Sequence, residues 1–73
     1  MRAIDVETRD GVPVCVEWRK QQLPVTGLAD HWVEQGRWWN DEPPLCFFLV
    51  ETERRRLLLC QNSVSKSWYA KPL

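Results

Sequence analysis

The chain has 73 residues, five of them Trp, and its ten basic and ten acidic side chains cancel to zero net charge. That length allows a single domain over 1–73 with a small core, and the charge balance lacks the clearly basic character of most nucleic-acid-binding domains. No stretch approaches the roughly 18 apolar residues of a membrane span, and no apolar run follows Arg2 as a secretory leader would need.

Ile4, Val6 and Thr8 alternate with charged residues, and Val12, Val14, Val16 and Trp18 alternate with Pro13, Cys15, Glu17 and Arg19. Both patterns have the period of a half-buried strand. Asp10-Gly11 marks a hairpin between them. A two-residue turn would set Val6 against Cys15, apolar against polar on one face. A three-residue loop, Arg9-Asp10-Gly11, sets Thr8 against Val12, Val6 against Val14 and Ile4 against Val16. It places Gly11 at the left-handed position such loops favour. In that register Ile4, Val6, Val14 and Val16 face inward and Pro13 outward.

Arg19-Lys20-Gln21-Gln22 is a polar turn, and Leu23 and Val25 restart the alternation. Gly27 interrupts it, as at a bulge or bend. Residues 28–35 fit a strand face or a helical i, i+4 pair through Leu28 and Trp32; a bent strand is favoured. Gly36-Arg37-Trp38-Trp39-Asn40-Asp41-Glu42-Pro43-Pro44 then reads as an ordered crossover, since two indoles are a heavy apolar load for a connection. Pro43-Pro44 removes two backbone donors and stops regular pairing. If the chain is extended there, Trp38 and Trp39 point to opposite sides. The expectation is Trp39 buried and Trp38 nearer Arg37 and solvent.

Leu45–Val50 is apolar on both faces, as in a central strand. Glu51–Arg55 turns the chain, Arg56–Gln61 forms the next strand, Asn62–Ser65 is turn chemistry, and Ser67–Lys71 is the last strand. Phe47, Leu49, Leu57 and Leu59 are the expected main core, with two or three of the indoles. The fold class is therefore all-β: a six-stranded antiparallel meander rolled into a small barrel, which largely removes its own edges.

Cys15, Cys46 and Cys60 are odd in number, sit among apolar residues, and come with one His and no CxxC. Buried reduced thiols in a cytoplasmic protein fit better than zinc or disulfides. No metal or other cofactor is expected. Catalysis has little to build on: there is no Cys–His motif, no GxSxG and no phosphate-cradling glycine loop. Asp41-Glu42 reads as a solvated turn, and His31 as a surface or core-rim residue. Arg54-Arg55-Arg56 is a solvated hairpin tip ahead of a phosphate contact, because Glu51 and Glu53 sit beside it.

Trp18-Arg19, Leu23, Val25, Leu28 and Trp32, then Gly36-Arg37-Trp38-Trp39, Glu42-Pro43, Phe47-Phe48, Val50, Thr52 and Trp68-Tyr69, together resemble a family of small bacterial domains of unknown function. The same pattern is similar to the C-terminal segment of inactive Y-family-polymerase-like proteins of bacterial mutagenesis cassettes. The resemblance covers nearly the whole chain. This chain departs from the pattern at Lys20, Leu23 and Arg54-Arg55, where the family has glycine or an aromatic. The resemblance implies a bacterial, cytoplasmic accessory domain linked to DNA repair or translesion synthesis, with no catalytic residues to carry over.

Two functions from different classes follow. One is a protein-interaction module whose partner belongs to the replication or repair machinery, since exposed Trp and Arg dominate binding hot spots. The other is a single-stranded nucleic-acid binder, with aromatic faces stacking bases. Zero net charge favours the first. The expected contact face is Arg37, Trp38, Arg19 and Tyr69, with Arg37 stacked on an indole.

Overall fold

The structure, a computed structural model, describes every residue except Arg37, Trp38 and Asn40. Six antiparallel strands follow one another in space as in sequence and close into a barrel. They are β1 (Arg2–Arg9), β2 (Val12–Trp18), β3 (Gln21–Glu34), β4 (Leu45–Thr52), β5 (Arg56–Asn62) and β6 (Trp68–Pro72). Closure rests on three pairs between β1 and β6, from Arg2 opposite Ala70 to Ile4 opposite Trp68. Among the described residues no helix is long and apolar enough to cross a membrane.

The first hairpin has neither of the two registers that face-counting offers. Arg9 pairs with Val12, so the turn is the two-residue Asp10-Gly11, both left-handed at φ 53° and 80°. That is the turn geometry matched to strand twist, and Gly suits it. A bulge at Val14 then absorbs one residue, so Glu7 meets Cys15 and Val6 meets Val16. The bulge restores apolar against apolar with the short turn intact. It also reverses the expected facing of Pro13, which is fully buried, and leaves Val14 outside the buried core cluster.

β3 is long and bent, as favoured for residues 28–35, but it starts at Gln21, so Gln21 and Gln22 of the expected Arg19–Gln22 turn are already strand; register shifts lie between Val25 and Gly27 and between Leu28 and Asp30. Its first part, Gln21–Pro24, pairs with β2, and its remainder pairs with β4.

The core is built from Val16, Trp18, Leu23, Val50, Leu57, Leu59, Trp68 and Ala70, with Ile4, Val6, Val25 and Phe48 packed against it. Leu57 and Leu59 are where the sequence reading puts them. Phe47 and Leu49 are not: both are only half-buried, and the inward residues of β4 are Phe48 and Val50. The cause is the β4–β5 loop. Glu51 pairs with Arg56, leaving the four residues Thr52–Arg55 between them, so Leu59 falls opposite Phe48 and Leu57 opposite Val50. Thr52 holds that loop: its Oγ1 donates to the Arg55 carbonyl at 2.7 Å and accepts from the Arg55 and Arg54 N–H groups at 3.1 and 3.3 Å.

The β5–β6 loop is the expected turn chemistry. Asn62 Oδ1 accepts from the N–H groups of Val64 and Ser65 at 2.9 and 3.0 Å, as Asn side chains do in such turns. The Ser63 N–H donates to the Pro44 carbonyl at 3.1 Å, tying the crossover to this loop.

Candidate functional site

Residues directly opposite in a ladder project from the same face. With Phe48, Val50, Leu57, Leu59 and Ala70 inside, the alternate positions of β3 to β6 line the outside. One cross-strand row runs Trp32–Phe47–Cys60–Tyr69–Ala3 across five adjacent strands. Trp32 and Phe47 stack, with ring centroids 5.4 Å apart and planes 10° from parallel. Trp32 is 37% exposed and Tyr69 38%. The next outer row is Asp30–Leu49–Leu58–Lys71, and Glu34 stands opposite Leu45 on the other side. The row thus wraps round the outside of the barrel, and on β3 and β4 the stacked Trp32–Phe47 pair with Leu45 and Leu49 has Asp30 and Glu34 at its edges, the apolar centre and charged rim of a binding hot spot. Register, rather than proximity in sequence, assembles it.

Cys60 is the small residue between Phe47 and Tyr69 and is 4% exposed. Burial first, then the neighbouring Cys46 and Glu34, push its thiol above the ordinary 9.0. The fold therefore favours the protonated thiol. That contribution to stability is complete below the unfolded value and is lost as pH rises through the folded one. The urea midpoint is expected to fall as pH climbs past 9.0, and to fall less in Cys60→Ala. An identical alkaline decline in both would show that Cys60 has no part in it.

A second surface lies at the end of the barrel where the β2–β3 and β4–β5 turns meet. Here a cleft of about 460 Å³ is lined by Trp18, Arg19, Gln21, Leu23, Arg54 and Arg55. A neighbouring cleft of about 440 Å³ shares Arg19 and adds Arg2, Lys20, Asp5 and Glu17 among its walls. The guanidinium groups of Arg2 and Arg19 each stand 5.6 Å from the Trp18 ring centroid, within cation–π range. The Trp18 ring is buried, and its Nε1–H has no acceptor among the described residues. Leaving such a donor unsatisfied costs about 1–3 kcal/mol.

The β2–β3 turn is itself strained. Arg19 and Lys20 both stand at positive φ, 50° and 66°. L-residues there cost roughly 1–2 kcal/mol each relative to right-handed backbone, and Asn-Gly is the usual occupant of this turn.

Arg19 and Tyr69, both expected in one contact face, line different but adjoining clefts. Arg19 lines the two basic-end clefts, and Tyr69 stands in the outer row and lines a third cleft with Lys66, Ser67 and Trp68, which adjoins the second through Ala3, Ile4 and Asp5. Arg37 and Trp38 lie outside the described residues. Trp39 corrects the expectation of burial: it is 66% exposed and its own backbone is helical, so the alternation of extended chain does not apply to it. Trp18 and Trp68 are the buried indoles among the described residues. His31 is exposed, with its ring stacked 6.2 Å from Phe48.

Sequence reasoning missed Trp32 and Phe47 as surface residues. The signal that finds them is the register of β4 against β5, which turns Phe47 outward and Trp32 with it. No protein-family model matches this chain, and no curated protein or solved structure is found similar to it.

Proposed function

We propose that this domain is a protein-interaction module that docks a partner on its outer aromatic row. The observation that carries the reading is the stacked Trp32–Phe47 pair on the outside of β3 and β4, rimmed by Asp30 and Glu34 and continued round the barrel through Cys60 to Tyr69. Aromatic side chains fixed by a sheet bind with little ordering cost. The resemblance to bacterial polymerase-like proteins supports a cytoplasmic partner from the replication or repair machinery. No catalytic chemistry, metal or cofactor enters this reading.

Single-stranded nucleic acid also uses aromatic platforms. Asp30 and Glu34 on the same face oppose it, because they repel the phosphates that would run alongside the bases.

The test uses Trp32→Ala and Tyr69→Ala, each first shown to fold by its near-ultraviolet circular dichroism. Parent and variants are used to capture partners from a bacterial extract, and the affinity for the captured replication or repair protein is measured. Each variant is expected to weaken binding by about 2 kcal/mol or more, roughly thirtyfold. Folded variants that bind as the parent does would overturn the site. Binding of single-stranded DNA that falls steeply with salt and is lost in these variants would replace the protein reading with the nucleic-acid one.

A further inference from the structure

We propose that the basic end of the barrel is a second binding site, separate from the outer row, and that it takes the carboxylates of an acidic peptide segment. The cleft under Arg19, Arg54 and Arg55 carries three guanidinium groups and no carboxylate in its walls. Among the described residues none of these three makes an ion pair. Arg56 beside them is already held by Glu51 at 3.7 Å and is not part of the site. Guanidinium forks match carboxylate geometry in bidentate fashion.

Three further observations point to a ligand. Trp18, one of the walls of the cleft, keeps a buried indole N–H without an acceptor among the described residues. Arg19 is pre-positioned by its stacking on the Trp18 ring, which removes part of its ordering cost. The turn that presents Arg19 and Lys20 holds both in left-handed backbone, where glycine would be unstrained. Strain retained in a short turn suits a turn kept for its side chains rather than for stability.

The same geometry selects against a nucleic-acid strand. Base binding needs aromatic faces interleaved with cations. The one aromatic in this cleft, Trp18, is 5% exposed and flanked by two guanidinium groups, so it offers no platform. The exposed Trp32 and Tyr69 stand on the outer row instead. Asp5 and Glu17 line the adjoining cleft and would repel a continuous line of phosphates. Discrete carboxylates on a flexible chain can place one or two charges among the arginines and avoid those acids.

The experiment is a titration of the whole domain, followed by NMR. The indole N–H signal of Trp18 is identified by its loss in Trp18→Phe. Three probes are compared at low and physiological salt: hexaglutamate with blocked ends, an oligothymidylate of the same length, and inorganic phosphate. Hexaglutamate is expected to shift the Trp18 indole signal and the Arg19 and Arg55 amides to saturation. Inorganic phosphate, which cannot bridge several arginines as linked carboxylates do, and oligothymidylate, whose strand meets Asp5 and Glu17, should each bind about tenfold more weakly.

The double variant Arg54→Gln/Arg55→Gln changes only exposed side chains and is expected to retain the parent spectrum elsewhere. It should lose about tenfold in affinity for hexaglutamate. Lys20→Gly relieves the turn and should raise the urea midpoint, while Arg19→Gln weakens the peptide. Oligothymidylate binding as tightly as the peptide would overturn the proposal in favour of nucleic acid. Equal binding of phosphate would reduce the site to a general anion hole. Absence of any saturable shift, or an unchanged affinity in the double variant, would remove the site altogether. None of these outcomes depends on Trp32 or Tyr69, so the outer-row reading stands or falls separately.

Discussion

Leu59→Ala is expected to lower stability by about 2–5 kcal/mol, measured as the shift of the urea midpoint at constant slope. Leu59 has no exposed surface and lies between Phe48 of β4 and Ala70 of β6, in the middle of the buried cluster. A close-packed core does not collapse readily around a missing isopropyl group, so the loss of transfer free energy is joined by the cost of a cavity. A 73-residue domain has a total stability of about 4–11 kcal/mol. One such truncation removes a large part of it, and the variant is expected to be partly unfolded at room temperature. Phe47→Ala is the informative control, because Phe47 is larger but half-buried on the outer face. Its effect should be clearly smaller than that of Leu59→Ala. If Phe47→Ala shifted the midpoint as far as Leu59→Ala, the assignment of the two faces of β4 would be wrong.

Phe47 also shows where sequence reasoning stops. The six strands are legible because their alternation and turn residues are local signals; the Asn62–Ser65 loop falls where those signals put it, and the first turn is the two-residue Asp10-Gly11 in place of the expected Arg9-Asp10-Gly11. Facing in Leu45–Val50 is not legible, since both sides of that strand are apolar and only the length of the loop after Glu51 decides between them. The first hairpin fails for a related reason. A bulge shifts the phase by one residue, and counting faces along the chain cannot place it at Val14. Both candidate surfaces depend on register in the same way. Trp32 and Phe47 become neighbours through the β3–β4 ladder, two further ladders carry the row on to Tyr69, and Arg19 meets Arg54 and Arg55 because two turns end at the same rim. Arg19, Tyr69 and the arginine run are each visible in the sequence as residues to notice. What no local pattern contains is which of them share a surface.

The crossover gives the second large effect. Gly36→Ala is expected to destabilise the domain by about 1–3 kcal/mol, as overpacking does in a tight site. A Cβ at Gly36 would run into the carbonyl oxygen of Glu42, and would stand 2.7 Å from both the Glu42 carbonyl carbon and the Pro43 carbonyl oxygen. All three are backbone atoms, so no side chain can swing away to make room. The segment they belong to resists displacement: Pro43 and Pro44 fix two φ angles, and the Pro44 carbonyl is held by the Ser63 N–H. Relief therefore requires moving the chain on one side of the crossover, along with the loop anchored to it. Gly27→Ala is the matched control. Nothing lies within 4 Å of a Cβ at Gly27, and its backbone is outside the left-handed region. That substitution should be neutral or stabilise by up to about 1 kcal/mol, through the lower entropy of the unfolded chain. Urea midpoints of the two variants, measured side by side, separate close approach at Gly36 from a general cost of alanine for glycine. Equal midpoints for Gly36→Ala and the parent would mean that the two ends of the crossover do not pack against one another.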